Sequence, residues 1–150
     1  MLARIALVSD THLGRFIGAR HLRELQTILK RERADVLLLA GDVMDDVPTV
    51  YRKQHMARLM SGLKTPLGQY AVLGNHDNYG GEQQGIVKDL QAAGFTTLRD
   101  EHLTVNQQFV LVGRRDKVEN RASAAQVIPK SDLPVIVMDH QPADMDAIAN

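Results

Sequence analysis

The stretch Val36-Leu37-Leu38-Leu39-Ala40-Gly41-Asp42 constrains the fold more than any other part of the chain. Five apolar residues run straight into Gly-Asp, and a second acid, Asp45, follows three residues later. A continuous apolar run that short, bounded by glycine, reads as a strand buried on both faces of a parallel sheet. Open α/β sheets place their ligand sites just past the carboxyl ends of such strands, where Asp42 falls. The pattern recurs. Ile5 to Ser9 leads into Asp10-Thr11-His12, and Tyr70 to Leu73 leads into Gly74-Asn75-His76-Asp77. Three core strands thus end in residues that bind cations or move protons.

Between these strands the apolar residues change period. Leu22, Leu25, Ile28 and Leu29 fall at helical spacing between Ala19 and Arg33, and Met56, Leu59, Met60 and Leu63 repeat the pattern from Val50 to Leu63. A third helix is predicted over Glu82 to Ala93, with Gly94 at its C′ position. Strand and helix alternate, which argues for parallel βαβ units. After Gly94 the character shifts. Thr96-Thr97-Leu98, Leu103-Thr104-Val105 and Phe109 to Val112 are short apolar pieces, the last two split by Asn106-Gln107-Gln108, and they predict antiparallel hairpin strands. Arg114 to Asn120 reads as a charged loop and Ala122 to Val127 as a short helix. Pro134 to Met138 reads as another buried strand, ending in Asp139-His140-Gln141-Pro142, with a helix starting at Pro142. The fold class expected is α/β, a sandwich of mixed sheets flanked by helices, in one domain spanning residues 1–150.

Composition narrows the chemistry. Eighteen basic residues balance eighteen acidic ones, so nothing draws the chain generally to nucleic acid or to an anionic membrane. With no cysteine, any metal must be held by oxygen and nitrogen. Met1-Leu2-Ala3-Arg4 leads at once into a strand, so the expected location is cytoplasmic. Asp10 and His12 alternate around one residue and can face one point. Asp42 can share its carboxylate between two cations, Asn75 offers an amide oxygen, and His76 and His140 offer imidazoles. Such a set suits Mn²⁺, Fe or Zn²⁺ better than Mg²⁺ or Ca²⁺. Two metals roughly 3.5–4 Å apart need a bridging ligand and suit in-line displacement at phosphorus. Taken singly each motif is an ordinary turn or cap. Jointly they are not, because each specified position matches by chance only about one time in twenty. His21, His55 and His102 lack such a context and read as surface residues; Met44, Met56 and Met60 read as core.

Asp10-Thr11-His12, Gly41-Asp42-Val43-Met44-Asp45, Gly74-Asn75-His76-Asp77 and Asp139-His140 resemble the successive motifs of the calcineurin-like metallophosphoesterases. The resemblance covers nearly the whole chain in the same order, and its wording is similar to the bacterial phosphohydrolase branch, many of whose members are membrane-associated. It implies two divalent metal ions, Mn²⁺ favoured. Asp10, His12 and Asp42 would serve the first, and Asp42, Asn75 and His140 the second. It implies that His76 protonates the leaving oxygen and that Asp45 orients its ring. The implied activity is hydrolysis of a small phosphomonoester or phosphodiester with metal-activated water.

Two departures qualify these expectations. Asp46 follows Asp45 where the protein phosphatases of the superfamily carry Arg-Gly, which argues against a protein-phosphatase site. The family also closes its site with Gly-His-x-His after one further strand, and that motif is absent from this sequence. The expectation is then an incomplete domain with one histidine missing for each metal, weak metal binding, and a bare sheet edge that pairs with a second copy. Two rivals follow. A catalytically impaired fold can serve as a protein-interaction module. A metal-dependent nuclease is opposed by the neutral charge and the 4% aromatic content.

Overall fold

A computed structural model describes residues 3–45, 48–143, 146 and 148. Parallel strands β1 (Ile5–Val8), β2 (Val36–Ala40), β3 (Gln69–Val72) and β4 (Thr96–Thr97) form one sheet in the order β1-β2-β3-β4. Between them run α1 (Ala19–Glu32), α2 (Thr49–Lys53), α3 (Met56–Met60), α4 (Asn75–Tyr79) and α5 (Gln83–Ala92). Right-handed crossovers between strands in sequential order bring their connections to one face. The side chains agree: Leu22 and Leu29 of α1, Tyr51 of α2, Met56 and Met60 of α3, and Ile86 and Leu90 of α5 join a single core with Leu37 and Leu39 of β2.

The other face of β2 carries Val36 and Leu38, as a strand's alternation requires. These pack with Val72, Leu98, Val105, Phe109, Leu111 and Met138 against a second sheet. That sheet holds β5 (Glu101–Val105), β6 (Phe109–Gly113) and β7 (Val135–Met138), with β5 antiparallel and β7 parallel to β6. On its far side Val110 and Val112 pack with Val127 of α6 (Ala124–Val127). The layers therefore run helices, parallel sheet, mixed sheet, helix. Each fully buried aliphatic side chain in them contributes roughly 1.5–3 kcal/mol.

Several expectations change in detail. The helix predicted over Val50 to Leu63 is two helices, because His55 sits in the left-handed region at φ 53° and breaks the hydrogen-bond ladder. Thr96-Thr97 does not enter a hairpin; it pairs parallel with Tyr70 and Ala71, which extends the first sheet. The hairpin is β5–β6 alone, turned by Asn106 and Gln107 at φ 46° and 56°. β1 is an edge strand rather than a core strand, and Leu7 is 68% exposed. β7 is likewise an edge among the described residues, which leaves Val135 exposed where a buried strand was expected. An apolar run does not by itself tell an edge from a centre, since pairing on the second side is a tertiary matter. Most of the helix predicted from Pro142 lies outside the described residues, as does Asp46.

Candidate metal centre

Register brings the motifs together. Val8 pairs with Leu39 and Ala40 with Val72, so β1, β2 and β3 end in line, and their exits continue side by side. The Asp10 amide donates to the Gly41 carbonyl at 3.1 Å, His12 to Asp42 at 2.9 Å, and Leu13 to Val43 at 2.9 Å. The two loops are held as a ladder beyond the sheet. Asp10, His12 and Asp42 each adopt positive φ, at 56°, 41° and 50°. Non-glycine residues rarely do so, and such conformations concentrate at functional sites.

Two glycines make room. A Cβ on Gly41, itself at φ 96°, would stand 2.6 Å from the His140 ring. One on Gly74 would stand 2.1 Å from Asp42 Oδ1 and 2.8 Å from His140 Cδ2. Any side chain at either position would displace the residues between them. This gives Gly-Asp and Gly-Asn-His-Asp their physical meaning. Gly74 is extended and Asn75 opens α4.

Asp42 is the hub. It is 3% exposed, and its Oδ1 accepts the His76 amide at 2.9 Å and lies 3.3 Å from His140 Nε2. Its Oδ2 lies 3.5 Å from His12 Nε2. Two groups of donors converge there: Asp10, Asp42 and His140 in one, His12, Asp42 and His76 in the other, with ligand atoms within 4.8 Å of each other. Asp42 belongs to both. Asp45 Oδ1 stands 3.5 Å from His12 Nδ1 and 3.5 Å from His76 Nδ1, between the rings. Those rings meet edge to face, with centroids 4.7 Å apart.

His140 comes from the second sheet, and its orientation is fixed. Its Nδ1 lies 2.7 Å from the Ala40 carbonyl, a contact that only a protonated nitrogen can make favourable. Nε2 is then the nitrogen left to a metal ion, and it faces Asp42 Oδ1 at 3.3 Å and Asn75 Oδ1 at 3.2 Å. Gln141 Nε2 donates to the same Asn75 oxygen, and Asn75 Nδ2 donates to the Tyr79 hydroxyl at 3.0 Å. A carboxylate, an amide oxygen and an imidazole nitrogen converging on one point are what a borderline divalent cation takes as ligands. The residues fit a metal centre.

Beneath it lies Asp77, fully buried, whose role the sequence did not reveal although it ends a quoted motif. Its Oδ2 accepts amides from Gly74 at 2.9 Å and Val43 at 3.1 Å, and Oδ1 accepts from Met44 at 2.8 Å. It ties the β2 exit to the β3 exit. Burial pushes its carboxyl above the ordinary range, while the three amides pull it down and Asp42 adds to the rise. His21, His55 and His102 are exposed, and Met44, Met56 and Met60 are in the core, as expected.

Donors arranged in this way at the carboxyl ends of a parallel sheet have the chemistry of a divalent-metal site. The calcineurin-like phosphoesterase family profile matches residues 3–148, and the chain belongs to that family. It is 31% identical over 147 residues to the "Uncharacterized metallophosphoesterase" of Aquifex aeolicus (strain VF5), covering 93% of this chain and 55% of that protein. It is 27% identical over 154 residues to the "Transmembrane protein with metallophosphoesterase domain" of Danio rerio, covering 93% of this chain and 35% of that one. Among solved structures, the Pseudomonas putida nuclease MPE matches with TM-score 0.45 and 18% identity, over 90% of this chain and 60% of that chain. The chain spans about half the length, or less, of these curated relatives. Among the described residues no helix is long and apolar enough to cross a membrane.

Proposed function

We propose that this chain hydrolyses a small phosphate ester at a dinuclear centre, with Mn²⁺ the favoured ion and Fe or Zn²⁺ alternatives. The observation that carries the reading is Asp42, the one carboxylate common to both donor groups. Asp10, Asp42, Asn75 and His140 would hold one ion, and His12 with Asp42 the other. Bound there, such ions supply positive charge to phosphoryl oxygens and lower the pKa of water.

The chain's own groups do the rest. His76 stands on the solvent side of His12 and hands a proton to the leaving oxygen. Asp45, 3.5 Å from His76 Nδ1, fixes the tautomer that presents the opposite nitrogen outward. Asn75 is oriented by the hydrogen bond that its amide NH₂ donates to the Tyr79 hydroxyl, which leaves its oxygen toward His140, where an ion would be held. Water is the attacking group in this reading.

Asp45→Asn tests the division of labour. Turnover of bis(4-nitrophenyl) phosphate with excess Mn²⁺ should fall about 10–100-fold, as for other groups that orient a histidine, while bound metal stays the same. Parallel loss of metal and turnover would make Asp45 a ligand and remove His76 from its role.

A further inference from the structure

The chain has three tyrosines and three phenylalanines and no tryptophan. Tyr51, Phe95 and Phe109 are buried, and Tyr70 packs against the core between the sheets. The two that remain, Tyr79 and Phe16, are 62% and 85% exposed. Tyr79 flanks the metal centre. Tyr79 closes α4, and its ring lies 5.3 Å from the His76 ring, tilted by 56°. Phe16 belongs to the tight turn in which the Gly14 amide donates to the Ile17 carbonyl at 2.8 Å. That turn lies against Asp45, whose Cβ would be 3.0 Å from a Cβ on Gly14. An exposed ring gains by being covered, and that of Tyr79 stands directly beside His76.

Tyr79 is not a loose side chain. Its hydroxyl accepts the Asn75 amide, so the ring is anchored at its polar end while its face stays open. The leaving group of the ester must lie beside His76, because His76 protonates its oxygen, and a group in that place meets the open face of Tyr79. We infer that Tyr79 forms a stacking platform that selects phosphate esters whose leaving group carries a planar aromatic ring, aryl or nucleoside. An aromatic face prefers another π-face in offset or edge-on contact, and stacking of a base on an aromatic side chain is worth about 5–150-fold in binding. The inference rests on the phosphoesterase reading and names the substrate class of that site.

The test compares wild type, Tyr79→Ala and Tyr79→Phe on phenyl phosphate, ethyl phosphate and adenosine 5′-phosphate, with Mn²⁺ present. Calorimetry of phenylphosphonate and methylphosphonate gives a second readout that needs no turnover. Tyr79→Ala should lower kcat/KM for an aromatic ester about tenfold more than for ethyl phosphate, mainly through KM. It should also weaken phenylphosphonate about tenfold more than methylphosphonate, whose loss should match that in Tyr79→Phe. Tyr79→Phe keeps the ring and should keep the preference, losing only what the hydroxyl gives Asn75. A greater dependence with phenyl phosphate assigns a ring bonded directly to the leaving oxygen; a greater dependence with adenosine 5′-phosphate assigns a nucleoside. Equal losses on all three esters would reduce Tyr79 to a support for Asn75 and overturn the platform alone. Absence of turnover on every ester, with no phosphonate binding, would overturn the phosphoesterase reading together with it.

Discussion

Asp42→Asn is expected to abolish stoichiometric metal binding and to lower turnover about a thousandfold, some 4 kcal/mol of transition-state stabilisation. The substitution is nearly isosteric, so its effect is chemical. Asp42 presents one oxygen to His140 and the other to His12, and belongs to both donor groups. An asparagine keeps one oxygen and turns an NH₂ toward an imidazole nitrogen or a bound ion, so one group loses its anion and the other has a neutral donor. The fold itself should survive. Asp42 lies close enough to the buried Asp77 carboxyl to raise its pKa, so removing the Asp42 charge relieves a repulsion. Metal analysis, turnover and thermal unfolding on one preparation separate these effects. A variant that binds Mn²⁺ as wild type does would contradict the shared-carboxylate centre.

The largest loss of stability is expected from Asp139→Ala. Asp139 is nearly buried and takes Arg114 Nη1 at 2.9 Å and Arg121 Nη1 at 3.1 Å. Arg114 is itself only 1% exposed. Removing the carboxylate that both guanidiniums approach breaks two nearly buried ion pairs at once, which costs about 3–5 kcal/mol. For a chain of this size that lowers Tm by about 10 °C. Asp139→Asn, which keeps an acceptor, should lose less. Because Asp139 precedes His140, the same substitution should weaken metal binding beyond what unfolding explains, through a less constrained β7 exit. An unchanged Tm in Asp139→Ala would mean that solvent reaches these arginines and screens them.

Much of the site was readable from the strand ends. A strand that runs apolar into Gly-Asp, Asp-x-His or Gly-Asn-His-Asp fixes both the place of its polar residues and the end of the sheet they share, and Asp10, His12, Asp42, Asn75, His76 and His140 meet there. What could not be read depends on contacts between elements. Asp77 acts through three backbone amides that no side-chain pattern encodes. The run from Arg114 to Asn120 reads as a charged loop, yet Arg114 and Asp116 are buried: Arg114 pairs across elements with Asp139, which makes the burial of its charge tolerable, and Asp116 Oδ1 accepts the Val118 amide at 3.0 Å. The edge positions of β1 and β7 were invisible for the same reason. Their apolar runs look like that of β2, and only the sheet order tells them apart. Tyr79 was passed over since a single tyrosine after a motif carries no signal until its neighbours are known.

The most direct measurement is calorimetric titration of the 150-residue chain with Mn²⁺, followed by hydrolysis of bis(4-nitrophenyl) phosphate before and after EDTA. The expected result is weak but saturable binding of two ions per chain, absent from Asp42→Asn, with slow hydrolysis that EDTA stops and Mn²⁺ restores. Binding that Asp42→Asn leaves intact, or hydrolysis indifferent to EDTA, would contradict a metal-dependent phosphoesterase built around that carboxylate.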